Sequence, residues 1–145
     1  MPKSVADLTL SALGQNIATL VGANPAAGAE FSQTVPAGQT WLLYAVRAQL
    51  ITSIAAANRR PSLFIDDGVN NIMKLYVNQQ QAASLTINFD WVAGIGINQN
   101  QFGTDVLAAL PYPLYLPAGY RIRSSTDNID VADDWGAPVF FMEVL

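Results

Sequence analysis

Four aspartates crowd one short stretch near the C-terminus, Asp127, Asp130, Asp133 and Asp134 in DNIDVADDW. Loop carboxylates of this kind are the donors that Ca²⁺ takes. Two carboxylates held on either side of a glycosidic bond are the machinery of a glycosidase. A second pair, Asp66-Asp67, has the residue types for general acid–base work. Each has a plainer reading. The aspartate spacing is not that of a calcium loop, so the cluster reads equally as a solvated acidic turn or as ion-pair partners for Arg59, Arg60, Arg121 or Arg123. Asp67-Gly68 reads as a hairpin turn, since both residues tolerate positive φ.

Other reaction chemistries lack their parts. The chain has no His and no Cys, which removes Ser-His-Asp and Cys-His pairs, thiolate zinc ligands and disulfides. No G-x-S-x-G elbow occurs. Gly94-Ile95-Gly96 begins a dinucleotide fingerprint, but Gln99 stands where the third glycine belongs. The expectation is a protein that is not an enzyme, with no catalytic, cofactor-binding or metal-ligating residues. Trp41, Trp91, Trp135, Tyr112 and Tyr115 are candidates for stacking on sugars or for packing in a core or subunit interface.

The elements that would position these residues are strands. Val35-Pro36-Ala37-Gly38 and Leu116-Pro117-Ala118-Gly119 each place a Pro-Ala-Gly turn before an apolar run. In the run 41–52, Leu42, Tyr44, Val46, Ala48 and Leu50 alternate onto one face, with Arg47 and Gln49 on the other. Segment 62–66 and segment 71–77 flank Asp67-Gly68 as hairpin arms. Leu85, Ile87, Phe89 and Trp91 alternate along 84–92, and further strands follow at 106–110, 120–124 and 138–145. Residues 78–81 (NQQQ) read as a turn. About eight strands with frequent turn signals predict an all-β fold, a single jelly-roll-like antiparallel β-sandwich over residues 31–145. Residues 1–30 are expected as an N-terminal arm and linker. Leu10, Leu13, Ile17, Leu20 and Val21 fit a helical stripe, while 5–10 also reads as a strand. Asp7, Gln15 and Asn16 interrupt any signal-peptide core.

Charge points to what such a sandwich is for. Only 12% of residues are charged and 51% are hydrophobic, against roughly 25% charged in an ordinary domain. No run approaches the ~18 apolar residues of a membrane helix. Seven basic residues, of which only Arg59 and Arg60 are adjacent, make no phosphate-tracking surface. The expectation is therefore no nucleic acid, no membrane, and neutral surface covered by other subunits. Candidate interface residues are Leu8, Leu10, Leu13, Ile17, Leu20, Tyr112 and Tyr115; Pro36, Gly38, Asp67, Gly68, Pro117 and Gly119 are the structural turn residues.

Val-Pro-Ala-Gly-x-x-Trp and its long strand, Asn58-Arg59-Arg60 before a strand ending at Asp67-Gly68, LPYPLYLPAGYRIR, and DNIDVADDW with a final apolar strand follow one another in that order. Over residues 31–145 this resembles the small β-sandwich structural proteins of tailed bacteriophages, most of all the jelly-roll head cement or decoration proteins. The resemblance implies a virion protein made in the host cytoplasm and carried on the capsid exterior. It implies a dimer or trimer that binds the outer head surface and clamps neighbouring major capsid subunits. A tail or fibre component that binds host glycans is the alternative.

Overall fold

The computed structural model describes residues 16–96 and 100–145. They form two β-sheets packed face to face, an all-β sandwich of jelly-roll type with twelve strands and no helix among the described residues. The long strand β3 (Thr40–Ile51) is the spine of the larger sheet. Each of its edges is shared by two partners. On one edge β12 (Val139–Val144) pairs with residues 41–47 and β11 (Asp134–Trp135) with residues 50–51. On the other, β9 (Tyr115–Pro117) pairs with residues 40–42 and β6 (Thr86–Ala93) with residues 45–51. Beyond β12 lies β1 (Ile17–Val21); beyond β6 lie β8 (Asp105–Leu110) and then β7 (Asn100–Phe102). The β6–β8 pair is parallel within an otherwise antiparallel sandwich, because β7 takes the outside position and β8 returns between it and β6. The smaller sheet runs β2 (Ser32–Thr34), β10 (Arg121–Asp127), β4 (Arg60–Asp66), β5 (Asn71–Tyr76).

The core lies between the sheets. Trp41, Leu43, Val46, Leu50, Phe89, Trp91, Phe140 and Met142 from the large sheet meet Leu63, Ile65 and Ile122 from the small one. Trp135 sits at its centre, edge-on to Phe31 at 5.3 Å, its indole N–H donating to Thr126 Oγ1. Such a pairing adds about 0.5–1.5 kcal/mol to area burial.

The two Pro-Ala-Gly turns are the corners where the chain changes sheets. One leads from β2 into β3, the other from β9 into β10. They lie side by side: the Val35 amide donates to Tyr120 O at 2.8 Å and the Gly119 amide to Val35 O at 3.0 Å. Each closes from its proline carbonyl, to the Gln39 amide in one and the Tyr120 amide in the other. Proline is thus the first turn residue and glycine the third. Gly38 and Gly119 there have φ of +77° and +87°, the region that only glycine enters freely. The β4–β5 connection spans residues 67–70, with Gly68 at φ +95°.

Three expectations about facing need correction. In β3 the register shifts opposite Phe141 and Met142, leaving Tyr44 as an extra residue. This β-bulge inverts the alternation: Trp41 and Leu43 enter the core, while Leu42 and Tyr44 face outward. Leu85 is 44% exposed rather than inside, because Ser84 turns the backbone at φ +59° and β6 begins only at Thr86. Residues 17–21 are a strand and not part of a helical stripe, their i, i+3 spacing overridden by pairing with β12.

The stretch expected as a linker runs along the sandwich, fixed at both ends. The Gly22 amide donates to Pro138 O and the Gly28 amide to Asp133 O. The Glu30 carboxylate accepts from the Thr126 amide and from the hydroxyls of Ser124 and Thr126.

Candidate functional site

The carboxylates that could do chemistry are turned to separate partners. Asp133 meets Arg59 inside the protein, Nε to Oδ2 at 2.8 Å, with both side chains fully buried. Burial alone would raise its pKa. Hydrogen bonds from Arg59 and from the amides of Asp130 and Ser53 outweigh that and hold the carboxyl below the ordinary range. Asp130 accepts from the Ser53 hydroxyl and the Ala132 amide. Asp127 lies 3.9 Å from Lys74. Among the described residues no three acids converge as a metal site would require. Asp66 is buried and takes the Nε of both Arg121 and Arg123 at 2.7 Å. Burial pushes it up, but the two guanidinium bonds and the Gly68 amide bring its pKa below normal. Its neighbour Asp67 caps the β4–β5 turn through the amides of Asn70 and Val69, which lower its pKa. Of the four arginines expected as partners for the acidic stretch, Arg59 makes an ion pair with it, Arg60 stands opposite Asp127 in the β4–β10 register, and Arg121 and Arg123 serve Asp66.

The outer face of the large sheet carries a different kind of site. The β3 bulge projects Tyr44 out of the sheet, where it stacks on Tyr112 at 6.3 Å and 24° and packs on Phe141 at 5.6 Å. The Tyr44 hydroxyl donates to Glu143 Oε2 at 3.0 Å. That bond, with the carboxylate charge behind it, pushes the Tyr44 pKa up. The register places Tyr115 beside Leu42 and Ile17 beside Glu143 on the same face, and Val21 beside Val139. Ile17, Val21, Phe141, Tyr112 and Tyr115 are all exposed. The belt ends at a polar group in which Arg47 bridges Asp90 and Asp105, both at 3.2 Å.

The expected interface residues are therefore dispersed. Ile17, Tyr112 and Tyr115 share the outer face. Leu20 faces the other way and packs against the core. Leu8, Leu10 and Leu13 lie outside the described residues. The three tryptophans are buried and offer nothing to a sugar. Sequence reasoning missed Tyr44 and Phe141, because strict alternation assigns Tyr44 to the core, and only the bulge moves it. It also missed Gln81, taken as part of a polar turn. Gln81 is buried, and its side-chain amide donates to the carbonyls of Leu50 and Leu85.

No protein-family model matches the chain, and no curated protein matches it. Among solved structures it is similar to a pentameric capsid protein isolated from metagenomic phage sequences, at 12% identity and a TM-score of 0.36, covering 99% of this chain and 78% of that one.

Proposed function

We propose that the chain is a bacteriophage virion structural protein, a cement or decoration protein that binds the outer head surface and clamps neighbouring major capsid subunits. The observation that carries this reading is the Tyr44–Tyr112–Phe141 belt, continued by Tyr115, Ile17 and Val21. A mostly apolar face with rigid aromatic anchors, its one carboxylate Glu143 bonded by Tyr44, suits a protein-binding surface, since two-χ aromatics lose little entropy when ordered. The order of turn and strand motifs over residues 31–145, which resembles head cement proteins, supplies the capsid as the partner. The carboxylates support a structural role, because Asp66 and Asp133 are spent in ion pairs with arginine. The mechanism is mechanical: apolar burial at about 25 cal/mol per Å² opposes the outward pressure of packaged DNA, and several linked contacts per oligomer multiply weak ones.

The test is co-sedimentation of the purified protein with tailed-phage heads assembled without their cement protein. Saturable binding, with heads that then survive heating that ruptures bare ones, is the expected result. Absence of binding to such heads would move the weight to the second reading, a tail or fibre component that holds host glycans. Tyr112 is the feature that favours it, since its ring is 59% exposed and already stacked on Tyr44, and a glycan array would read it directly.

A further inference from the structure

The strand β1 is the edge of the large sheet, with β12 on one side and no strand on the other among the described residues. The Val144 amide donates to Asn16 O and the Gly22 amide to Pro138 O. In an antiparallel ladder such pairs recur at every second residue. Residues 16, 18, 20 and 22 therefore turn their backbone groups toward β12. The N–H and C=O of Ile17, Thr19 and Val21 point to the open edge.

Edge strands are ordinarily blunted by charge, proline or a bulge. The sequence of β1, IATLV, contains no charged residue and no proline, and its pairing with β12 is regular. Its outward side chains are apolar at both ends, with Ile17 49% and Val21 63% exposed. Beside it a groove opens against β12 and the first Pro-Ala-Gly turn, lined by Ala18, Leu20, Pro36, Trp41, Met142 and Val144 together with the polar Thr19 and Gln39.

A row of amides and carbonyls with no strand partner among the described residues fits an extended polypeptide, and this row is self-complementary. We propose that β1 pairs antiparallel with β1 of a second copy of this chain across a two-fold axis, Thr19 facing the partner's Thr19. All three outward residues on each copy then find backbone partners. Ile17 stands beside the partner's Val21, an apolar cross-strand pair, and the two threonines form the central pair. Ala18 stands beside the partner's Leu20 over the two grooves and joins them into one mostly apolar floor. A two-fold contact of this kind closes on itself, so it makes a dimer and not a fibre. The large sheet and its aromatic belt become continuous across both copies. The dimer requires no capsid, so it stands or falls separately from the cement reading.

The test uses full-length protein. Light scattering should give a dimer mass across a range of concentrations. Proline is tolerated at an edge position whose N–H faces outward. Thr19→Pro should therefore retain the fold while deleting two intermolecular N–H donors, weakening association about thirtyfold. Ala18→Pro, whose N–H is spent on β12, should instead destabilise the fold. Because the chain has no cysteine, Thr19→Cys provides a single thiol. In a directly opposed hydrogen-bonded pair the Cα atoms lie about 5.5 Å apart, within disulfide reach. Oxidation with copper phenanthroline should link Thr19→Cys chains into dimers and leave a Val69→Cys control monomeric on a denaturing gel. A wild-type monomer overturns the proposal, and so does an oligomer whose Thr19→Cys form fails to cross-link.

Discussion

Arg59 and Asp133 form an ion pair that retains no solvent exposure on either side chain. It ties the loop after β3 to the loop after β10. The Arg59 guanidinium donates twice to Asp133, to the carbonyls of Ala55 and Ala57, and to the Ser53 hydroxyl. Ile54 and Val131, both almost wholly exposed, are carried on the two loops it joins.

Removing one partner strands the other charge in the interior, which costs about 3–5 kcal/mol. Arg59→Met and Asp133→Leu should each lower the unfolding free energy by that amount, read as a fall in the urea midpoint at unchanged m. The double variant should recover a large part of the loss, because no lone buried charge remains. A loss in the double variant equal to the sum of the two single losses would show that the pair is not acting as a unit.

Acid should weaken the fold through the same groups. The folded pKa values of Asp66, Asp67 and Asp133 lie below the ordinary 3.8. Their contribution is complete above that value and is lost as pH falls through the folded values. Stability should hold from neutral pH to about 5 and then decline. The decline should be shallower in Asp66→Asn, which starts from lower stability. Asp90 has the opposite sign: burial raises its pKa, more than Arg47 lowers it. Its charged form is disfavoured on folding, so Asp90→Asn should change stability at pH 7 by no more than about 0.5 kcal/mol. Melting curves from pH 2.5 to 7 check both signs.

Two glycines at positive φ should respond differently to alanine. At Gly38 a Cβ meets nothing within 4 Å, so Gly38→Ala should cost only the left-handed penalty of about 1–2 kcal/mol. At Gly28 it would fall 2.8 Å from Val131 Cα. Gly28→Ala should therefore cost more than Gly38→Ala and loosen the Gly28–Asp133 bond. Paired denaturation curves decide the order.

If the aromatic belt is the docking face, Tyr112→Ser and Tyr115→Ser should weaken binding to heads while costing little stability, Tyr115 being half-exposed and Tyr112 losing only its stacking on Tyr44, about 1 kcal/mol. A hot-spot aromatic contributes about 2 kcal/mol or more at an interface, which sets the expected loss at roughly thirtyfold per residue. Wild-type binding by the double variant would remove the belt from the interface.

The fold was legible because its signals are local. Turn residues mark the corners, and period-two apolar runs such as Ile87, Phe89 and Trp91 stay in the core. The site was less so. Tyr44 reaches the outer face through one extra residue opposite Phe141 and Met142, a tertiary register choice invisible in the alternation. Gln81 is buried because it bridges to Arg59 and caps carbonyls of β3 and the turn after it; nothing in a run of polar residues distinguishes it. Arg59 was named as a partner for the acidic stretch, but its neighbour Arg60 was named equally. Only Arg59 turns inward.

The pairing of the two Pro-Ala-Gly corners has a kinetic consequence. Val35 and Tyr120 hydrogen-bond across an intervening chain that includes seven of the twelve strands, β3 to β9. The contact is long-range, and its loop-closure cost comes due before it returns any stability. The corners should therefore join after the folding barrier has been crossed. Substitutions at Gly38 and Gly119 should hasten unfolding and leave the refolding rate almost unchanged. The doubled turn would then govern how long the folded protein lasts more than how fast it forms.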